Sequence, residues 1–393
     1  MNRDYDYSVL SSPAAATRCS EIMAQSFVAR AEDELSYLHQ VGFDNVRLLR
    51  SGGEILGGLA LLPMGQWFGG RRVAMTGVAS VAIAPQVRGQ GAATALMTAL
   101  LQELAARGTA LSALYPAVQA LYQKVGYGLG GSRYTWRIAT DQIQLGYAPL
   151  PCYPLPATQL SPHWPTLQQH LGQLQSGRLD RHDLIWQRLL MPPGDGTIFA
   201  YGIGAEPSPR GYLIGYQERG PNGTILTLRD WAATSLEAMQ SLWALLYQQR
   251  GQIDWVQWAG GAVDPLALAL PEQRLTGRDQ SQWLLRIIDI QQALTQRGYP
   301  SAVGGDLHLQ LRDPLLPGNN GRFILTVEGG RGHLAPGGTG DLGLAIRQIP
   351  PLFTGLRTAQ ELHALGLIQG SPEALDRATT FFSGPCPWIP DYF

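Results

Sequence analysis

The chain has 393 residues, 45% of them hydrophobic and 15% charged, with a formal net charge of −1 and a sequence pI near 6.7. That length supplies two or three domains with well-buried cores, and the near-neutral charge leaves nucleic-acid binding without electrostatic support. No apolar run approaches membrane-spanning length, the N-terminus is too polar for a signal peptide, and the seven histidines show no clustering that suits a metal. Three scattered cysteines, Cys19, Cys152 and Cys386, form no Cys-x-x-Cys pair and are expected as small core side chains in a reducing cytoplasm.

In chain order, the segment at about 1–145 reads as mixed α/β. A helix rich in Ala, Ile, Met and Phe is predicted over 13–28. A polar stretch over 30–40 follows, in which Glu32, Asp33 and Glu34 read as a solvated face rather than as substrate ligands. Strands are predicted over 45–50, 54–63 and 72–84, the first two joined by Ser51-Gly52-Gly53. Residues 81–97 then carry the most informative pattern of the chain. An apolar strand runs through Pro85 into a turn with Gly89 and Gly91, and on into a helix over 92–106 built on Ala92, Leu96, Leu100 and Leu104. Such a strand, glycine turn and helix start make an anion site, because free backbone N–H groups and the positive end of the helix dipole converge on one point. Glycines let the backbone close on a phosphate with no Cβ in the way. The helix ends at Arg107-Gly108. A strand over 110–115 closed by Pro116, a short helix over 118–124, Gly126-Tyr127-Gly128 and a strand over 133–138 complete the segment.

A proline-rich linker over 148–156 leads to a second unit, with a helix over 164–174, strands over 197–202, 209–217 and 224–231, and a helix over 235–249. Asn222-Gly223-Thr224 reads as a hairpin turn. The block 224–246 looks like a degenerate copy of 76–100. Its loop, Arg229-Asp230-Trp231-Ala232-Ala233-Thr234, has no glycine, so no phosphate is expected to approach the backbone there. The third unit opens with a helix over 289–297, followed by strands over 307–312, 321–328 and 341–346 and helices over 349–355, 358–365 and 371–382. Leu307, Leu309 and Leu311 fall on one face of their strand. The chain closes on Cys386-Pro-Trp-Ile-Pro-Asp-Tyr-Phe393.

The spacing Gln86-x-x-Gly89-x-Gly91-Ala92 lacks the Gly-Lys-Ser/Thr ending of a P-loop and the third glycine of the dinucleotide fingerprint. It resembles the pyrophosphate-binding loop of the GNAT acyltransferase superfamily, Gln/Arg-x-x-Gly-x-Gly/Ala, which grips acetyl-CoA. The run Leu121-Tyr122-Gln123-Lys124-Val125-Gly126-Tyr127-Gly128 resembles a second signature of that superfamily, in which the Tyr stands beside the CoA sulfur. The αβ pattern of the third unit is similar to the sterol carrier protein-like fold, whose amphipathic sheet could enclose a lipid or hold a filled core. A catalytic GNAT unit, a degenerate one and such a tail ending in Phe393 together resemble the Eis (enhanced intracellular survival) family of acetyltransferases, over essentially the whole chain.

That resemblance implies an α/β (α+β) fold of tandem GNAT units and a sterol carrier protein-like domain, over 1–147, 157–285 and 286–393. It implies acetyl transfer from acetyl-CoA, without a metal, to primary amines of small cationic molecules such as aminoglycosides, in a cytoplasmic hexamer. Backbone groups of Val81 and Ile83 would face pantetheine and the acetyl group. Arg88, Gly89, Gln90, Gly91 and Ala92 would hold the pyrophosphate, Tyr122 would be the general acid and the α-carboxylate of Phe393 the general base. Phe27, Trp388, Asp391 and Tyr392 would stand at the substrate. Two departures thin the negative charge offered to a polycation. Tyr392 stands where some members have an acid before the terminal Phe, and Ala29 stands where they have one after Ser26-Phe27.

The chemistry asks for these groups. An alkyl amine with a pKa near 10 arrives protonated, so a base must take its proton. A free α-carboxylate, with a pKa of about 3.5, becomes a competent base only when burial raises it or a water relays the proton. That requires the tail to thread back into the first unit, stiffened by Pro385, Pro387 and Pro390. A main-chain N–H near Val81 would stabilise the oxyanion. Direct attack needs no enzyme nucleophile, and no Gly-x-Ser-x-Gly elbow or Cys–His arrangement is present. Other roles stay open for the same residues: packing for Tyr122, a hydrophobic anchor for Phe393, and a pocket wall or a pin for the tail for Trp388. A protein lysine acetyltransferase and a non-catalytic CoA- or lipid-binding scaffold are the rival functions.

Overall fold

The structure, a computed structural model, describes residues 4–194, 196–221 and 223–393. Residues 1–3 of the polar N-terminus and Asn222 of the expected turn lie outside the described residues.

The first part contains β1 (Asp6–Val9), α1 (Pro13–Phe27), α2 (Ala31–Val41), β2 (Val46–Ser51), β3 (Glu54–Phe68), β4 (Arg71–Ile83), α3 (Ala92–Ala106), β5 (Leu111–Leu114), α4 (Gln119–Lys124) and β6 (Gly128–Ala139). Ser12 caps α1, its Oγ accepting from the Ala15 N–H at 3.3 Å, with Pro13 at the first helical position. The stretch expected only as a polar segment is the helix α2. Leu38 and Val41 recur at helical spacing and are buried with Tyr37, while Glu32, Asp33 and Glu34 occupy the first turn, where the helix dipole favours negative charge.

The second part adds β7 (Cys152–Leu155), α5 (His163–Leu174), β8 (Leu179–Asp180), α6 (Asp183–Leu189), β9 (Ile198–Ile203), β10 (Gly211–Gly220), β11 (Gly223–Ala233), α7 (Leu236–Tyr247), β12 (Trp255–Gly260) and β13 (Thr276–Ile287). β7 lies inside the expected linker. Arg229–Ala233, expected as a loop, form the end of β11, and Ser235 caps α7 directly after it. The strand thus enters the helix without any glycine turn of the kind that precedes α3.

One sheet runs through both parts, in the order β1-β2-β3-β4-β5-β13-β6-β12-β11-β10-β9-β7, with β8 paired to β3. β13 inserts between β5 and β6. Leu284–Ile287 pair with Leu111–Leu114, and β6 on its other side pairs with β12. β13 carries no single periodicity, because its first half is mostly exposed and Trp283–Ile287 are all buried, which is why the sequence reading passes over it.

The third part comprises α8 (Ile290–Gln296), β14 (Gly305–Arg312), β15 (Gly321–Glu328), β16 (Arg331–Pro336), β17 (Leu342–Ala345), α9 (Ile349–Phe353), α10 (Ala359–Ala364), β18 (Gln369–Gly370) and α11 (Pro372–Phe381). Its separate sheet has the order β16-β15-β14-β17-β18, with Leu307, Leu309 and Leu311 buried on one face. Its core is continuous with that of the first part, whereas the second part has a core of its own. A buried pair at 2.9 Å, Arg286 of β13 and Asp313 after β14, ties the large sheet to this third part. Of the cysteines expected in the core, only Cys19 is fully buried; Cys152 is partly buried and Cys386 is exposed, just before the tail becomes buried at Pro387.

Candidate active site

β4 and β5 are parallel neighbours only from Met75/Leu111 to Gly77/Ala113. Beyond that point β5 ends at Leu114 while β4 continues to Ile83, so the strands part and leave β4 backbone without a partner on that side. On the other side the β3–β4 register slips between Gly58 and Ala60. Ser80 sits opposite that slip with φ 52, a conformation uncommon for a residue with a side chain. The bulge and the parting of the strands open a cavity of about 610 Å³ against the start of α3.

The floor of that cavity is an anion cradle. α3 has no side-chain cap, so its first N–H groups, at Ala92, Ala93 and Thr94, are free, and all three residues line the cavity. Gly89 and Gly91 adopt φ 75 and 87, where other residues pay steric strain. A Cβ at either would meet nothing within 4 Å, so the glycines serve backbone conformation and leave open space beyond the helix end. A pyrophosphate fits this arrangement of donors and space. Val81, Ile83, Arg88, Gly89, Gly91 and Ala92 all line the cavity. The Arg88 side chain folds back onto the Ile83 carbonyl and the Ser26 hydroxyl, both at 2.9 Å. Gln90 is turned away from the cavity. Its amide donates to the Gln86 carbonyl at 3.0 Å, and its own carbonyl accepts from Tyr5 at 3.2 Å.

Tyr122 of α4 closes the cavity beside Val81. It is buried, edge-on to Tyr127 at 5.9 Å, and burial pushes its hydroxyl up to about 12, so it stays protonated at neutral pH. Tyr127 behind it is fixed by a 2.8 Å hydrogen bond to Ser112 of β5. Phe27, half-exposed at the end of α1, lies at the cavity rim.

The tail threads back into the first part. The Phe393 ring packs against Gly77, just where β4 and β5 part: a Cβ on Gly77 would fall 2.8 Å from the ring. The ring is also edge-on to Tyr115, immediately after β5, at 5.8 Å. Gly77 and Val81 are four residues apart, roughly 13 Å of strand at most. Tyr392 is 65% exposed, stacks on Tyr115 at 4.5 Å, and walls a second, polar groove with Gln119, Gln280, Ser281 and Gln282.

Two residues expected at the substrate are placed otherwise. Trp388 is 3% exposed. It is held by its N–H on the Ser176 carbonyl at 3.1 Å and by the Arg178 guanidinium 4.9 Å above its ring, so it pins the tail. The Asp391 carboxylate faces inward onto Arg181 Nε at 2.9 Å, and its charge is neutralised within the protein. Arg181 also makes a two-pronged bond to Asp230, at 2.6 and 2.8 Å, and the two carboxylates hold its guanidinium firmly in the charged form.

Sequence reasoning missed several groups around the bulge. Tyr37 of α2 lies against Ser80, with the Arg188 guanidinium of α6 stacked 4.6 Å over its ring. Burial raises the half-buried Glu34 carboxyl, and Arg188 opposes that shift. No local pattern announces Tyr37 or Arg188, and Glu34 read only as part of a solvated face, because α6 comes from the second part and meets α2 only in the folded chain. Tyr115 alone carried a signal, as the last residue of an apolar strand before Pro116.

A splayed parallel strand pair, a bulge and an uncapped helix start preceded by two left-handed glycines define an acyltransferase of the GNAT class. Residues 13–130 match the family model of an acetyltransferase (GNAT) domain, 177–287 match a second acetyltransferase (GNAT) domain, and 290–390 match a sterol carrier protein domain. A solved GCN5-related N-acetyltransferase from Anabaena variabilis is 42% identical, with a TM-score of 0.96 over 99% of this chain and 100% of that one. An uncharacterized N-acetyltransferase of Streptomyces avermitilis is 28% identical over 83% of both chains. The N-acetyltransferase Eis of Mycobacterium tuberculosis is 26% identical over 66% of this chain and 65% of its own length. The chain belongs to the Eis-like family of GNAT N-acetyltransferases. It is an N-acetyltransferase, and GNAT acetyltransferases use acetyl-CoA.

Proposed function

We propose that this protein transfers acetyl from acetyl-CoA to primary amines of small cationic molecules, aminoglycosides among them, with Tyr122 as general acid and the α-carboxylate of Phe393 as general base. The observation that carries the reading is the placement of Phe393 on Gly77, at the parting of the strands whose other arm lines the acetyl-CoA cavity.

The N–H groups at the start of α3 bind the pyrophosphate, and the β4 backbone about Val81, which β5 leaves without a strand partner, takes the amides of pantetheine, while the Ile83 carbonyl is held by Arg88 Nε at 2.9 Å. The Val81 N–H donates to the oxygen that gains charge as the amine attacks. The Phe393 carboxylate, directly or through a water, accepts the amine proton. Tyr122 gives its proton to the departing sulfur. With the hydroxyl near 12 and a thiol near 8.5, that transfer is roughly 5 kcal/mol uphill at equilibrium. Transfer is therefore concerted with C–S cleavage, and solvent re-protonates the tyrosine. Because Asp391 is neutralised by Arg181, attraction of a cationic acceptor falls to the α-carboxylate of Phe393 and to the polar groups of the groove beside Tyr392. The family likeness supports a cytoplasmic hexamer, which light scattering would test.

The test is CoA-thiol release with acetyl-CoA and an aminoglycoside panel, using wild type, Tyr122→Phe and a chain extended past Phe393. Turnover in wild type that collapses in both variants, with CoA binding kept, supports both assignments. Turnover that survives the extension removes the terminal carboxylate from the mechanism.

A further inference from the structure

Asp391 is the last residue of the tail with directional polar anchors. The Tyr115 hydroxyl donates to its carbonyl at 3.0 Å, and Arg181 Nε donates to its carboxylate at 2.9 Å. Upstream, the Pro390 carbonyl accepts from Arg133 at 3.1 Å. Beyond Asp391, ring contacts hold Tyr392 and Phe393. The direction in which Phe393 enters the site is therefore set at Asp391.

Arg181 is well placed to fix it. It follows β8, the short strand by which the second part pairs onto β3 of the first, through Gly65 and Gln66. Its guanidinium lies over Trp186 at 4.5 Å and is clamped to Asp230 by two parallel bonds. Asp230 is itself held by the Tyr212 hydroxyl and by Gln168 at 3.2 Å. Arg178 completes a buried group of two guanidiniums and two carboxylates, in which the charges balance. Asp230 stands at the end of β11, in the segment that corresponds to the glycine turn before α3.

We propose that Arg181 is a positioning residue for acetyl transfer. Clamped on Asp230, it holds Asp391 and so aims the Tyr392–Phe393 segment at the parting of β4 and β5. The degenerate second GNAT unit thereby serves as the anchor of the tail. This rests on the reading that Phe393 belongs to the active site.

The experiment compares Asp391→Asn and Arg181→Lys with wild type in the full chain. It measures kcat, KM for acetyl-CoA, CoA affinity, the pH profile of kcat, and hydrogen exchange over residues 388–393. Released aim is expected to lower kcat about 10- to 100-fold, since a displacement near 1 Å can cost that much. KM for acetyl-CoA and CoA affinity stay within about twofold, the pH profile loses its wild-type shape, and exchange speeds up in the tail alone. Arg181→Lys, which keeps the buried charge, falls between wild type and Asp391→Asn and serves if the latter does not fold. A folded Asp391→Asn with wild-type kcat overturns the proposal, and so does a loss of kcat matched by equal loss of CoA affinity. A chain extended past Phe393 is assayed in parallel. If the extension abolishes turnover and Asp391→Asn does not, the proposal alone fails. If the extension is harmless while Asp391→Asn lowers kcat, the terminal-carboxylate reading fails and the positioning role stands.

Discussion

Gly77→Ala tests the seat of Phe393 with one methyl group. Gly77 has an ordinary strand conformation, so the backbone accepts alanine, and the effect is steric. The new Cβ would lie 2.8 and 3.1 Å from two ring carbons of Phe393, and close to the Met64 methyl. Carbon atoms rest at about 3.5–4.0 Å. Met64 can swing away, but the Phe393 ring, wedged against Tyr115, must withdraw by roughly 1 Å. Overpacking of this kind costs about 1–3 kcal/mol of stability, which a chain of this size tolerates. A base displaced by about 1 Å can lose on the order of 100-fold in rate. The assay is steady-state CoA-thiol release, with CoA affinity by calorimetry and a thermal melt on the same preparation. The expected pattern is a large fall in kcat, unchanged CoA affinity and a modest fall in Tm. A folded Gly77→Ala with kcat within twofold of wild type would refute the argument that Phe393 works from this seat.

Gly91→Val places a β-branched residue at φ 87, where space is open and the strain is conformational. CoA affinity is expected to fall about 5- to 30-fold, from about 1–2 kcal/mol of strain in holding the turn that the bound form needs; unchanged calorimetric affinity would count against the cradle. Asp313→Ala strands Arg286, whose partner side chain is fully buried with it, and is expected to cost about 3–5 kcal/mol, read from urea unfolding. Asp264 has one oxygen bonded to Trp258 and to the N–H groups of Leu266 and Ala267, the other oxygen without a partner, and a carboxyl raised by burial to about 6. Its folded pKa exceeds the unfolded value near 3.9, so stability falls as pH rises from about 4 to about 6, by roughly 3 kcal/mol in full. Asp264→Asn should flatten that part of a Tm–pH curve and melt no lower than wild type at pH 8.

The glycine turn and uncapped helix start that line the cavity were legible in the sequence because they are local. Strand, glycine turn and helix start lie within 81–97, and left-handed glycines before an amphipathic helix can be read from spacing alone. The short helix that carries Tyr122 was legible for the same reason, and the leucines of β14 showed their buried face by alternation. The acceptor half is assembled from distant pieces. Asp391 and Trp388 read as substrate-side residues, with a pin for the tail left open for Trp388, because nothing near them in sequence reveals Arg181 or Ser176, some 210 residues away. The polar stretch over 30–40 hid a helix because its apolar stripe is narrow.

Local backbone chemistry thus determined the anion cradle, since helix ends and left-handed glycines act over a few residues. Tertiary structure decided the rest. It inserted β13 between β5 and β6, joining two units into one sheet, and it brought Phe393 onto Gly77 and Asp391 onto Arg181. Ion pairs and ring contacts between segments hundreds of residues apart leave no periodicity for the sequence to show.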